Sequence, residues 1–143
     1  MDILIFRMVF PNDPYKRCLP HQVFVAVKTN DYLDVFSISS IPGKENRVYG
    51  QEADRYEVII GTDQIINGFR MPSFIDCSKR YRIALSAGIS LSALSARSIT
   101  EELKDRVLNR IQLMENEGHM ITYSISSADF KHWNPAIQES GQA

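Results

Sequence analysis

Two apolar runs separated by a short polar break restrict this chain more than any other feature. Residues 21–27, HQVFVAV, are rich in Val and Phe, side chains that suit a pleated, half-buried surface. Asn30-Asp31 follows, and both side chains bond to nearby backbone and favour turns. Residues 33–38, LDVFSI, then return with strand character. The spacing predicts a β-hairpin over 21–40. A lone hairpin is marginal in water, so the rest of the chain must cover it.

The other segments supply that cover. Residues 3–10, ILIFRMVF, predict a strand that stops at Pro11, and residues 11–20 hold three of the six prolines and predict a loop. Lys16 and Arg17 lie in that loop. Residues 39–47 form a polar loop around Pro42-Gly43, and residues 48–51 predict a short edge strand. Strands are expected at 56–60, around 74–75, at 81–85 and at 120–125, while 65–66 and 89–96 fit no clear template. Between the last two strands the period changes. Leu103, Val107, Ile111 and Met114 recur at helical spacing. Ser98 and Glu101 match a capping box, so a helix is expected from about 99 to 116, stopped at Gly118. A polar tail, expected to fray, occupies 138–143, leaving 1–137 as one domain. No βαβ rhythm and no glycine-rich phosphate loop is present. The fold class expected is mainly β (α+β): a small barrel or rolled sheet of antiparallel strands with one C-terminal amphipathic helix.

Composition narrows the function classes. The 143 residues carry 16 basic and 17 acidic side chains, a net charge of −1. Nucleic-acid binding would therefore need a local basic patch. Cys18 and Cys77 are not in a C-x-x-C pair, which excludes a zinc ribbon or a thioredoxin-like motif. No apolar run reaches membrane-spanning length and no leader is evident, so a cytoplasmic protein with free thiols is expected.

The stretch from 56 to 83 carries the densest chemistry. Val58-Ile59-Ile60 is apolar, Pro72-Ser73 precedes Phe74-Ile75, and the chain then enters Asp76, Ser78, Lys79, Arg80 and Arg82. A strand ending in such a cluster delivers side chains suited to an anion. A solvated strand end is the plainer reading.

In order, the chain offers a basic, proline-containing loop, a hairpin whose second strand ends in Ser37-Ile38-Ser39-Ser40, the Pro72-Ser73-Phe74-Ile75-Asp76 stretch with basic residues after it, and a late capped helix. Over roughly residues 14–115 this order resembles the PemK/MazF-like toxins of bacterial toxin–antitoxin modules, as a divergent member. The resemblance implies an SH3-like barrel, usually a homodimer. It implies cofactor-free, metal-independent cleavage of single-stranded RNA, and neutralisation by a small antitoxin protein with an acidic tail. The family's Arg-Pro pair at the start of the first hairpin strand reads Leu19-Pro20 here, with Arg17 nearby. The family's hydroxyl matches Ser39, and its later acidic and basic pair matches Asp76 with Lys79 or Arg80.

Metal-free RNA cleavage needs a base for the 2′-hydroxyl, an acid for the leaving oxygen, and cations on the phosphorane. His21 suits proton transfer near neutrality. The catalytic set expected is His21, Ser39, Asp76 and Arg80, with Arg17 in place of the absent arginine. Lys16, Ser40, Lys44, Arg47, Ser73 and Lys79 are expected to bind RNA. A barrel-shaped binding or inhibitor protein without catalysis is the alternative, and the missing arginine favours it.

Overall fold

The computed structural model describes residues 1–138. Among these residues eight strands form one sheet: β1 (Ile3–Met8), β2 (Leu19–Lys28), β3 (Tyr32–Ser40), β4 (Tyr56–Ile59), β5 (Ser73–Asp76), β6 (Lys79–Ala84), β7 (Ser95–Arg97) and β8 (Ile121–Ile125). Four α-helices accompany them among the described residues: α1 (Glu45–Val48), α2 (Gly61–Ile66), α3 (Glu101–Asn116) and α4 (Ser127–Trp133). The fold is thus mainly antiparallel β with helices, as the patterning predicts. The tail beyond residue 138 lies outside the described residues.

β3 is the hub. On one side it pairs with β2 along the predicted hairpin, from Gln22↔Ile38 to Lys28↔Leu33, with a bulge between Val25 and Val27. Its other side is shared. The first half pairs with β6, up to Val35↔Tyr81, and the second half pairs with β5, from Ile38↔Ile75. Three steps along β3 are therefore matched by six steps of the facing chain. The surplus sits at Asp76–Lys79 and behaves as an enlarged bulge, a device that bends a strand and re-aims its side chains. The rest of the sheet runs β4-β5-β3-β2-β1-β7, with β8 beyond β6. β8 runs parallel to β6, a departure from the all-antiparallel expectation.

Both faces of the sheet are covered, and strand alternation sorts the side chains between them. One face carries Ile3, Phe24, Phe36, Ile38 and Ile75, against which α3 lays Leu103, Val107, Ile111 and Met114. The other carries Leu4, Phe6, Val23, Val35 and Ile83, closed by Ile125 and by Phe130 of α4. The Phe6 and Phe130 rings meet edge to face at 5.1 Å. On the β7 side of β1, where strand pairing stops at Ile5, Asn134 takes the place of a strand neighbour at Arg7. Its side chain accepts from the Arg7 amide and donates to the Arg7 carbonyl, each at 2.8 Å.

Several local expectations are corrected. The cap of α3 is Thr100, whose hydroxyl accepts from the Leu103 amide at 3.2 Å, so the helix begins at Glu101. The pairing of Asp2 with residues 97 and 99 holds Ser98 outside the helix: the Asp2 amide donates to the Arg97 carbonyl, and the Asp2 carboxylate accepts from the Ile99 amide. The end at Gly118 is as predicted, with φ of 73°. In place of an edge strand at 48–51 there is a helical turn that buries Val48. α4, capped by the Ser126 hydroxyl, was hidden in a polar sequence. Among the described residues, no helix is long and apolar enough to cross a membrane.

Candidate active-site cleft

The bulge at Asp76–Lys79 opens a cleft of about 360 Å³ on the β8 side of the sheet. Pairing of Val23 with Ser37 sets His21 and Ser39 on one face of neighbouring strands, because side chains two apart share a face. Alternation along β6 likewise brings Lys79 to the face occupied by Tyr81. The loop before β2 supplies Asn12, Asp13 and Arg17, and the loop after β3 supplies Lys44 and Arg47. Seven of the eleven expected site residues converge here: Arg17, His21, Ser39, Lys44, Arg47, Asp76 and Lys79.

Asp76 organises the floor. It is 1% exposed. One carboxylate oxygen accepts from the Ser78 amide at 3.0 Å and the Ser78 hydroxyl at 2.7 Å. The other accepts from Lys79 Nζ at 3.1 Å and Arg47 Nη2 at 3.3 Å. Ser78 fixes the bulge, and the two cations are held at its rim. Arg47 also donates to the Tyr56 hydroxyl at 3.0 Å. Burial works to lower its pKa, but Tyr56 and Asp76 outweigh this and raise it.

His21 lies against the Phe10 ring, centroids 4.4 Å apart. Burial pushes its pKa below the ordinary histidine value, Arg17 and Lys44 push the same way, and Asp13 opposes them. The imidazole is therefore neutral at neutral pH, the form that accepts a proton. Asp13 accepts from the Tyr15 amide at 3.0 Å and from the Arg17 side chain at 3.3 Å. The Tyr15 amide leads the effects that hold its pKa low, against burial, with Arg17 adding to it. Lys44 has no carboxylate within ion-pair distance among the described residues. Its ammonium lies 6.0 Å from the Phe74 ring centroid.

Four expected residues lie elsewhere. Arg80 alternates to the opposite face of β6, where it donates to Glu115 of α3 at 2.8 Å and lies 3.7 Å from Asp34. That is an anchoring role, shared with Arg82, which pairs with Asp34 through two hydrogen bonds of 2.8 Å. Lys16 folds back onto the Pro11 carbonyl and shapes its own loop. Ser40 and Ser73 line a second cavity, and the Ser73 hydroxyl donates to the Met71 carbonyl at 2.8 Å.

The sequence reading missed Phe10, Asn12, Asp13, Ser37 and Tyr81, all of which line the cleft. Tyr81 donates to Asn12 Oδ1 at 2.8 Å, tying the loop to β6. Burial leads the effects that raise its hydroxyl pKa, so it stays protonated. Alternation through Lys79 and Tyr81 was the available signal for Tyr81. Among the described residues, one group could hold a metal ion. Asp54, Glu117 and His119 have ligand atoms within 4.8 Å of one another, and none of the three lines the cleft.

The arrangement provides a neutral base, four cations, two carboxylates and hydroxyl donors around one opening. It suits a phosphodiester. No family model matches the chain, and neither does any curated protein.

Proposed function

We propose that the chain is a metal-independent endoribonuclease acting on single-stranded RNA, of the PemK/MazF-like toxin kind, on an opened SH3-like barrel. One observation carries this reading: neutral His21 sits in a cleft whose cations outnumber its carboxylates four to two, in a protein of net charge −1. Such local excess is what a near-neutral protein needs to attract phosphate.

In the proposed reaction the RNA 2′-oxygen attacks the adjacent phosphorus, and its proton passes to a ring nitrogen of His21. The bond from phosphorus to the 5′-oxygen breaks, and that oxygen takes a proton from the Lys44 ammonium. The products are a 2′,3′-cyclic phosphate and a 5′-hydroxyl. Arg17, Arg47 and Lys79 offset the charge that builds on the phosphorane, and Ser39 donates to a phosphate oxygen. Asp76 positions Arg47 and Lys79 without touching substrate. The proposal extends to a homodimer and to an acidic antitoxin that competes for the cleft. Sedimentation showing only monomer at micromolar concentration would remove the dimer from it.

The test is a long defined RNA incubated with the purified protein in EDTA. Fragments ending in cyclic phosphate are expected, and His21→Ala should reduce their rate by about a hundredfold, the scale of losing a group that acts in the transition state. Cleavage abolished by EDTA would reject the mechanism. A parent protein that cuts no RNA would turn the reading to the non-catalytic binding module.

A further inference from the structure

A second cavity, of about 540 Å³, opens on the α3 face of the sheet, and Ser39 lines both it and the cleft. The two openings thus meet over the end of β3. Their chemistry differs. The second has two arginines, Arg70 and Arg97, and, among the described residues, no carboxylate in its wall. Arg97 donates to the Asn67 carbonyl and, at 3.2 Å, to Gln22 Oε1, and lies 4.3 Å from the Phe69 ring centroid. None of those neighbours carries negative charge. Burial lowers the Arg97 pKa, the mark of a charge taken from water without a counter-ion. Arg70 is exposed and makes no ion pair among the described residues. Beside these charges, Ile5 and Met71 are 39% and 47% exposed, an apolar surface with nothing laid on it. Paired cations next to bare apolar surface match a nucleotide, whose phosphate and base differ in the same way.

We propose that this second cavity receives a flanking nucleotide of the RNA strand whose scissile phosphate lies in the cleft, with its phosphate on Arg70 and Arg97 and its base over Ile5 and Met71. The inference rests on the RNA reading of the cleft. Ser39 marks the point where the strand would pass from one opening to the other, and the Gln22 amide stands ready to meet a base edge. An extended acidic peptide would use the arginines but leave the continuity with a phosphodiester site unexplained.

The experiment uses a fluorescent hexanucleotide with 2′-O-methyl sugars, which cannot be cut, and the matching dinucleotide, with binding read by anisotropy over a range of salt. The parent should bind the hexamer at least about tenfold more tightly, since added phosphate contacts and stacked bases both contribute. Arg70→Ala should lose most of that advantage and lower the salt slope by about 0.7, the value for one phosphate contact on a single strand. Met71→Asp, at an exposed position that spares the fold, should remove the advantage by placing a carboxylate beside the arginines. Hexamer binding by both variants with the parent's affinity and slope would overturn the inference. If Lys44→Ala alone weakens the hexamer, the cavity proposal falls and the cleft reading stands. If the parent binds neither oligonucleotide, both fall. A glutamate-rich peptide that binds through Arg70 where RNA does not would also overturn it.

Discussion

Replacing Asp76 by alanine tests the link between fold and cleft, because this carboxylate serves both. Its bonds from the Ser78 amide and hydroxyl lie in a buried site, and hydrogen bonds to a charged acceptor are worth about 1.5–3 kcal/mol each. Alanine leaves the Ser78 amide without that partner. The bonds from Arg47 and Lys79 add less, because the Arg47 side chain is 48% exposed and water can take over. The contributions overlap, so the expected loss is about 3 kcal/mol, the low end for breaking a buried charged pair. For a domain of this size that is a fall of about 9 °C in Tm. In urea, followed by Trp133 fluorescence, the midpoint should drop by about 1.5 M at an m near 2 kcal/mol/M, with m unchanged. Asp76→Asn retains an acceptor for Ser78 and should cost less than half as much. A loss below about 1 kcal/mol for Asp76→Ala would refute the claim that this residue holds the bulge.

Other consequences are simpler to state. Thr100→Ala should destabilise by about 1 kcal/mol through loss of the α3 cap, whereas Ser98→Ala should stay within about 0.5 kcal/mol, both measured by urea unfolding. If neutral His21 is the base, kcat/KM should rise with pH up to its depressed pKa and then level off. Arg17→Gln removes a positive neighbour, raises that pKa and should move the rising limb to higher pH; an unmoved limb would speak against the assignment. The same shift acts on stability. A folded pKa below the unfolded value of about 6.5 means that the unfolded chain binds the proton first, so stability should fall as pH drops from about 6.5 through the folded pKa. His21→Asn should flatten that part of the pH–stability curve.

Much of the scaffold was legible because it rests on local signals. The hairpin over 21–40 shows itself in β-favouring runs on either side of a turn pair, and α3 in four apolar residues at helical spacing. What was not legible depends on partners distant in sequence. α4 has little apolar periodicity, and Phe130 becomes core only because it packs against Phe6 of β1. Ser98-Glu101 has the form of a capping box, but the pairing of Asp2 with residues 97 and 99, far away in sequence, decides that Thr100 takes the role. The site followed the same division. Most of its members come from loops and strand ends whose basic and hydroxyl character is visible in the sequence. Tyr81 and Asn12 were missed because their bond spans 69 residues.

Arg80 shows how a single step along a strand separates structure from function. Lys79 and Arg80 are neighbours of like charge, and a reading by composition treats them alike. The pleat sends Lys79 toward Asp76 and the cleft, while Arg80 goes to Glu115, Asp34 and the face of Phe36. The arginines that bridge β6 and α3 to the sheet are matched by carboxylates: Arg80 and Arg82 on Asp34, and Arg106 and Arg110 on Glu57 at 3.0 and 2.6 Å. These pairs hold α3 and β6 to the sheet and leave little charge to attract a ligand. In the cleft and in the cavity beside it, positive groups exceed negative ones. A net charge of −1 over the whole chain thus conceals a division in which acidic residues neutralise the arginines of β6 and α3, while cations outnumber carboxylates around the end of β3. That concentration, more than any one residue, is the physical basis for proposing an anionic polymer as the ligand of this surface.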